Sequence, residues 1–334
     1  MPKRVISTQR GQPLLDIVSY ARRGPGRRDR LSREQREHIS RTVRRIPEVM
    51  IKVLTHGGQD LRAIQRHLDY IARRGELELE TDDGQQLKGE DVAKKLLDDW
   101  DLDLESYRRS ADLAAALGHR PPKLIHKLLF SMPAGTPPDK VLAAVRHFAR
   151  EQFDGKHRYA MALHTDEPHP HVHMALKAVS EQGVRLHIRK ETLREWRREF
   201  ARHLRKLGVA ANATDRAVRG LSKTQKIDGI FRAARRGDSS HMQTRVEATA
   251  RALSVGQVAP EAGKARLTAT RRQVAEGWRC VGQRLNREGQ HHLAAEVERF
   301  LNELPPPLTE REWIASQLQH HARNSGQRTQ VPTR

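Results

Sequence analysis

Four histidines and an aspartate lie within ten consecutive residues, in the segment His164-Thr165-Asp166-Glu167-Pro168-His169-Pro170-His171-Val172-His173. The apolar residues after this segment predict a strand, in which His171 and His173 point to the same face because strand side chains alternate. A partner strand ends at His164, and the short loop brings that residue back opposite them. Neutral imidazole is a common metal ligand, and three protein ligands leave positions free for a substrate. The spacing therefore predicts one divalent-metal site.

The charge of the chain indicates what such a site would act on. Its 334 residues carry 62 Lys and Arg against 41 Asp and Glu, which gives a formal net charge of +21. A chain this basic is expected to bind a polyanion such as DNA, RNA or an anionic membrane. A membrane span is not expected, because no apolar stretch approaches the roughly 20 residues that a spanning helix needs. The single cysteine, Cys280, excludes an internal disulfide framework and favours a reducing cytoplasm.

The histidine segment also offers supporting side chains. Asp166 is placed to accept the second ring N–H of one ligand, which would hold that imidazole in one orientation. His169 stands between two prolines that bend it away from the strand alternation, so we predict that it supports the ligands or contacts DNA. The alternative is a pH-sensitive surface hairpin that binds no metal.

Tyr70 is a tyrosine that helix packing does not explain. Four apolar residues recur at helical spacing and predict an amphipathic helix: Leu61, Ile64, Leu68 and Ile71. At about 100° per residue, Tyr70 falls roughly opposite that stripe. Basic side chains flank it and form a setting that attracts phosphate: Arg66, His67, Arg73 and Arg74. A divalent ion beside a phosphodiester acts as a Lewis acid, which makes Tyr70 a candidate nucleophile. The alternative is an ordinary amphipathic surface tyrosine.

Hydrophobic periodicity predicts an α+β domain with a central antiparallel sheet and helices packed on it. We expect strands at 48–54, 124–131, 158–163 and 171–179, a hairpin around 82–84, and helices at 60–73, 90–118, from 138, and at 190–207. Further helices are predicted at 241–256, 265–287, 289–303 and 308–322. The expected division is a basic flexible arm over 1–46, the α+β domain over 47–222, and a mainly helical basic region over 223–334 that binds DNA or carries a secretion signal.

Three motifs occur in an order that resembles the single-tyrosine conjugative relaxases of the MOBP class, within the HUH endonucleases. The first is His67-Leu68-Asp69-Tyr70-Ile71-Ala72-Arg73-Arg74-Gly75, and the second is Phe130-Ser131-Met132-Pro133-Ala134-Gly135-Thr136. The third is the histidine segment, whose His171-Val172-His173 is the His–hydrophobic–His element. The stretch from Ala213 to Gly220 also looks like the end of the family's catalytic domain. The resemblance covers about residues 48–222 and implies that 47–222 is a relaxase nuclease domain. We do not expect the remaining residues to hold the large helicase or primase domains of some members.

The resemblance implies a role for each motif. Tyr70 is implied to attack DNA and become linked to its 5′ phosphate, and Ser131 to contact DNA near the nick. Asp166 is implied to act as the polar partner, and we predict that it takes the tyrosine proton through a histidine or water. His164, His171 and His173 are the implied ligands of one divalent ion, Mg²⁺ or Mn²⁺ by preference, although imidazole ligation also suits Zn²⁺. Arg73 and Arg74 are predicted to support the site or contact DNA.

The implied activity is strand-specific nicking at an origin of transfer for conjugation. Relaxosome accessory proteins and a type IV secretion coupling protein are the implied partners, in a bacterial cytoplasm from which the protein is exported with the transferred strand. Three other functions fit the residues: a metal-dependent phosphodiesterase that uses water, a rolling-circle replication initiator, and a non-catalytic DNA-binding protein. The order of the motifs, with the tyrosine before the histidines, favours a relaxase over the initiator.

Overall fold

The computed structural model describes residues 30–54, 58, 60–102, 104–221, 237, 240–255, 261 and 263–327, with the side chains of 321–327 excepted. The chain forms two compact units, one from Ile46–Ala213 and the other from Met1–Arg45 together with Thr214–Arg334. We call them the sheet unit and the helical unit. Among the described helices, none combines the length and the apolar character that crossing a membrane requires.

The sheet unit is an α+β fold, as predicted. Its strands are β1 (Met50–Leu54), β2 (Leu79–Thr81), β3 (Gln86–Leu87), β4 (Ile125–Ser131), β5 (Tyr159–His164) and β6 (His171–Lys177). Its helices are α2 (Leu61–Ile71), α3 (Val92–Asp99), α4 (Leu104–Ala116), α5 (Pro138–Phe153) and α6 (Lys190–Lys206). The strands form one sheet in the order β1-β4-β6-β5-β2-β3, and every pair is antiparallel. The antiparallel β5–β6 hairpin is confirmed, and the predicted 90–118 helical region is two helices.

The two faces of this sheet are packed differently because side chains alternate along each strand. One face, which we call the aromatic face, packs large side chains against α5 and α6, including Phe130, Phe148, Trp196 and Phe200. The opposite face, which we call the histidine face, is lined by small residues at its centre, including Ala160, Ala162 and Ala175. The apolar stripe of α2 packs on those alanines: Ile64, Leu68 and Ile71. The stripe predicted from helical spacing is therefore the buried side of this helix.

The helical unit contains α1 (Arg33–Val43), α7 (Ser240–Ser254), α8 (Lys264–Arg287), α9 (His291–Asn302) and α10 (Glu310–Gln327). Its core joins helices from both ends of the chain, with Ile39 and Val43 of α1 buried together with Trp278 of α8 and Phe300 of α9. Trp278 Nε1 also donates to the carbonyl of Val218 at 2.9 Å. The four helices predicted after residue 240 are present close to their predicted limits.

The prediction of a flexible arm over 1–46 is wrong for residues 33–43, which form α1. Ser32 begins this helix with a capping box, because its Oγ accepts from the Gln35 amide at 3.1 Å and Gln35 Oε1 accepts from the Ser32 amide at 2.9 Å. Ile39 and Val43, four residues apart, then share the buried side. The Arg-rich run at 22–28 dominated the interpretation of the whole segment, and that run lies outside the described residues.

Candidate metal and nucleophile site

The strand register brings the three predicted ligands to one place. His164 and His171 are directly opposite in the β5–β6 pair, and His173 follows two residues later on the same face. Each imidazole offers one ring nitrogen, and these three atoms lie within 4.8 Å of one another. His164 and His173 are buried, whereas His171 is half-buried and borders solvent. The cluster therefore lies at the open end of the histidine face.

Backbone carbonyls determine which ring nitrogens of His164 and His171 keep a lone pair. His164 Nε2 lies 2.9 Å from the carbonyl of Ile71, and His171 Nδ1 lies 2.9 Å from the carbonyl of His169. Because a carbonyl only accepts, these two nitrogens carry protons, which leaves the lone pairs on His164 Nδ1 and His171 Nε2. Both bonds are of the kind that orients metal-bound histidines.

The third histidine has the electronic state that ligation requires. His173 Nδ1 is buried and has no hydrogen-bond partner among the described residues. Burial, with the charges of His164 and His171, lowers the pKa of His173 to about 3, and burial also lowers the pKa of His164. Neutral imidazoles and an unsatisfied buried nitrogen fit a divalent cation, which would be held by His164, His171 and His173.

Asp166 does not support a ligand in the predicted way. Its Oδ1 lies 3.9 Å from His164 Nδ1, beyond hydrogen-bond distance, while its Oδ2 lies 2.5 Å from a guanidinium nitrogen of Arg73. The bond to Arg73 lowers the pKa of Asp166 and keeps the carboxylate ionised. The carbonyls of Ile71 and His169 take the orienting role that the sequence assigned to this side chain.

The chain after α2 turns sharply and carries Arg73 toward the histidines. Arg73 and Arg74 have φ of 51° and 54°, and Gly75 follows with φ of 90°. Left-handed backbone at non-glycine residues is costly and recurs at functional sites. The turn leaves an Arg73 guanidinium nitrogen 3.5 Å from His164 Nδ1, so a cation lies next to the predicted metal position.

Tyr70 projects over the cluster from α2. Its ring centroid lies 5.6 Å from that of His173, edge to face, and 6.0 Å from that of His164. The guanidinium carbon of Arg73 lies 5.9 Å from the Tyr70 ring centroid. Tyr70 is 52% exposed, which is unusual for a large apolar ring and leaves its hydroxyl end accessible to a substrate. The structure thus brings the tyrosine, the three histidines and one arginine together.

Ser131 joins this group, whereas two other predicted residues do not. Ser131 ends β4 directly opposite His171, so both side chains leave the same face of the sheet. It is buried, and its hydroxyl donates to the carbonyl of Met132 at 3.4 Å. The side chains of Arg74 and His169 are exposed and outside the histidine cluster. His169 contributes its carbonyl instead of its ring.

Sequence reasoning missed His67 as a member of the site. Its ring stacks near Tyr70, with centroids 6.4 Å apart, and lies 6.2 Å from that of His173. Burial, with the charge of Lys127, lowers the pKa of His67 to about 3. Lys127 is itself buried, and its ammonium group donates to the Ala63 carbonyl at 3.3 Å. The spacing of three residues between His67 and Tyr70 was the signal that both occupy one side of α2.

A second group of metal-type ligands has a different explanation. Glu151, Glu199 and His203 also lie within ligand distance of one another. Arg202 donates to both carboxylates, and His203 Nε2 lies 3.0 Å from Glu151. Both carboxylates already bind Arg202 within the protein, so we interpret this group as an ion-pair network.

Most of the sheet unit is similar to known proteins. Residues 70–209 match the family described as relaxase, MobA/VirD2-like, nuclease domain. The chain is 27% identical over 190 residues to the T-DNA border endonuclease VirD2 of Rhizobium radiobacter, which covers 53% of this chain and 44% of that protein. It is 29% identical over 194 residues to VirD2 of Agrobacterium fabrum, covering 53% of this chain and 41% of the relative.

The chain therefore spans less than half the length of these relatives. The matched residues include Tyr70, Ser131 and the whole histidine segment. Ser131 and the three histidines share one face of the sheet, the Tyr70 ring lies beside the histidines, and the family match covers most of the sheet unit. Residues 70–209, within the sheet unit, are similar to the nuclease domain of MobA/VirD2-like relaxases.

Proposed function

We propose that this protein nicks one strand of DNA by transesterification at Tyr70. The Tyr70 oxygen forms a bond to the scissile phosphorus, the bond from phosphorus to the 3′ oxygen breaks, and the 5′ phosphate stays on the tyrosine. The phenol proton leaves to solvent, and the 3′ oxygen takes one up. The observation that supports this most directly is the half-exposed Tyr70 ring above three converging imidazoles.

The three histidines would hold a divalent cation, Mg²⁺, Mn²⁺ or Zn²⁺, that polarises the phosphate and offsets charge in the transition state. Arg73 is placed to bind a phosphate oxygen between the tyrosine and the cluster. Because the bond to Arg73 lowers the pKa of Asp166, this carboxylate is a weak base, and we assign it to holding Arg73 in place. Ser131, beside His171, is placed to contact the strand near the nick.

Transfer of DNA between cells is the biological setting that we propose. The relatives are named T-DNA border endonucleases, and nicking with a covalent intermediate keeps the energy of the phosphodiester for resealing. We accordingly propose an origin of transfer as the substrate, with relaxosome proteins and a type IV coupling protein as partners. Export through a type IV secretion system is part of this proposal.

The decisive experiment is a nicking assay with Mg²⁺ and a supercoiled plasmid that carries the cognate transfer origin, followed by detergent and protease. We expect a strand-specific nick whose 5′ end is blocked by a peptide. Tyr70→Phe removes the nick and the adduct, whereas Tyr107→Phe, at another tyrosine of the same unit, retains both.

Three different results of this nicking assay would each support another function. Nicking by Tyr70→Phe with an unblocked 5′ end would show a phosphodiesterase that uses water. Tight DNA binding with no nick in any metal would favour a non-catalytic DNA-binding protein. Nicking confined to a replication origin would favour a rolling-circle initiator.

A further inference from the structure

The long helix α8 of the helical unit has two very different sides. Its buried side carries Val274, Trp278, Val281 and Leu285, which pack in the core of that unit. The opposite side is exposed and forms a stripe at spacings of three and four residues: Arg272, Glu276, Arg279, Gln283 and Arg287. We call this set the α8 stripe. It carries three arginines against one glutamate, so it is a basic surface.

The arginines of this unit divide into paired and unpaired sets. Arg33 of α1 is bound to Glu37 at 3.0 Å, and Arg44, directly after α1, is bound to Glu296 at 3.0 Å. Arg279 of the α8 stripe is bound to Glu276 at 3.0 Å. For Arg272 and Arg287, no ion pair occurs within the part of the chain that the structure describes. The exposed side of α8 therefore carries two positive charges, one near each end of the stripe, that no carboxylate of the described residues offsets.

The side-chain types of the α8 stripe match the edges of base pairs. Arginine and glutamine make bidentate hydrogen bonds to guanine and to adenine, respectively, and glutamate accepts a hydrogen bond from the amino group of cytosine. From Arg272 to Arg287 the helix rises roughly 22 Å, about the length of six base pairs. The major groove of B-DNA is wide enough for an α-helix. The major groove of A-form RNA is too narrow for protein side chains to reach the base edges.

We propose that the α8 stripe is a second DNA-binding site, which inserts into the major groove of duplex DNA. Arg272 and Arg287 bind phosphates or guanines at the two ends, and Gln283 reads a base between them. This site is separate from the nicking centre and does not depend on the proposed nicking activity. Its ligand is double-stranded, unlike the strand that Tyr70 would attack.

The test measures binding of the full chain to a 30-base-pair duplex and to one of its single strands by fluorescence anisotropy at several salt concentrations. We expect Arg272→Ala/Arg287→Ala to weaken duplex binding by about tenfold or more, and to lower the slope of log affinity against log salt by about 2. Binding of the single strand should stay unchanged. The matched control, Arg33→Ala/Arg44→Ala, removes the same charge from paired positions and should change duplex affinity less than about twofold.

Selection from a random duplex pool then tests base reading. Gln283→Ala should relax one position of the selected sequence and leave the salt dependence unchanged. All of the substituted side chains are partly or fully exposed, so unchanged thermal melting would confirm that the variants fold. Equal losses for both double variants would show that net charge alone drives binding and would overturn the proposal. Unchanged duplex affinity of Arg272→Ala/Arg287→Ala would also overturn the proposal. So would an equal loss of affinity for single-stranded DNA or duplex RNA, or preferential binding of the protein to vesicles of anionic phospholipid.

Discussion

The two faces of the sheet show how one layer of strands serves two purposes. On the aromatic face, Phe130 lies 5.2 Å from Phe148 and 5.4 Å from Phe200 between ring centroids, and bulky side chains fill the space beneath α5 and α6. On the histidine face, alanines occupy the corresponding central positions. Small residues let α2 lie against the strands, and the end of the same helix then presents Tyr70 to the histidines.

The aromatic face mainly stabilises the fold, whereas the histidine face carries the groups that could do chemistry. Strand alternation sends neighbouring residues to opposite sides, so Val172 is buried in the aromatic-face core while His171 and His173 form the cluster. A large side chain on the histidine face would fill the space that a substrate and cation require. Substitutions on the two faces should therefore have different effects.

The largest expected effect is on the aromatic face. Phe200→Ala removes a fully buried ring that contacts Phe130, and should lower the free energy of unfolding by about 3–5 kcal/mol. Urea denaturation of the full chain measures this loss. A loss below about 1 kcal/mol would show that this face does not provide the main core.

On the histidine face, His173→Ala should lower nicking by about 10²–10³-fold and weaken binding of Mn²⁺, because it removes one of the three proposed ligands. The side chain makes no hydrogen bond through Nδ1 among the described residues, so the free energy of unfolding should change little. The matched control is His126→Gln, which alters a buried histidine that points to the aromatic face. Full nicking by His173→Ala, or equal losses in both variants, would contradict the assignment.

Crowding the histidine face should reduce activity more than stability. Ala175→Leu adds bulk beneath α2 at a fully buried position, and should cost about 1–3 kcal/mol of unfolding free energy. The shift of α2 would displace Tyr70 from the histidines, and misplacement of about 1 Å lowers rates by about 100-fold. A variant that loses stability but nicks normally would show that the position of Tyr70 does not depend on this packing.

The smallest expected effect concerns pH. Burial lowers the pKa of His126 to about 4, below the usual 6.5, although its Nε2 donates to the Leu186 carbonyl at 3.1 Å. Between pH 4 and 6.5 the unfolded chain binds more protons at this residue, so stability is lost as the pH falls, by up to about 1.4 kcal/mol per pH unit. His126→Gln, which keeps a donor, should reduce the slope of unfolding free energy against pH in this window. An unchanged slope would place the acid sensitivity in the histidine cluster instead.

Several elements could be predicted from the sequence because their signals are local. The alternation of His171 and His173 and the apolar stripe of α2 predicted the β5–β6 hairpin and the exposed position of Tyr70. The helix α1 was missed although Ser32 and Gln35 form a capping box, because its charge resembled that of the preceding Arg-rich run. The ion pair between Asp166 and Arg73 was also missed, since it depends on left-handed backbone at Arg73 that no local pattern of side chains requires.

The sequence by itself determined which side of each strand and helix carries apolar or polar groups, because that property follows from the repeat of the local backbone. Only the tertiary structure decided which groups meet. The carbonyls of Ile71 and His169 orient two imidazoles, and His67 lies beside Tyr70 and His173. These contacts join segments up to about 100 residues apart. The sequence spacing placed the three histidines together, but the packing of α2 on the alanines of the sheet sets their geometry.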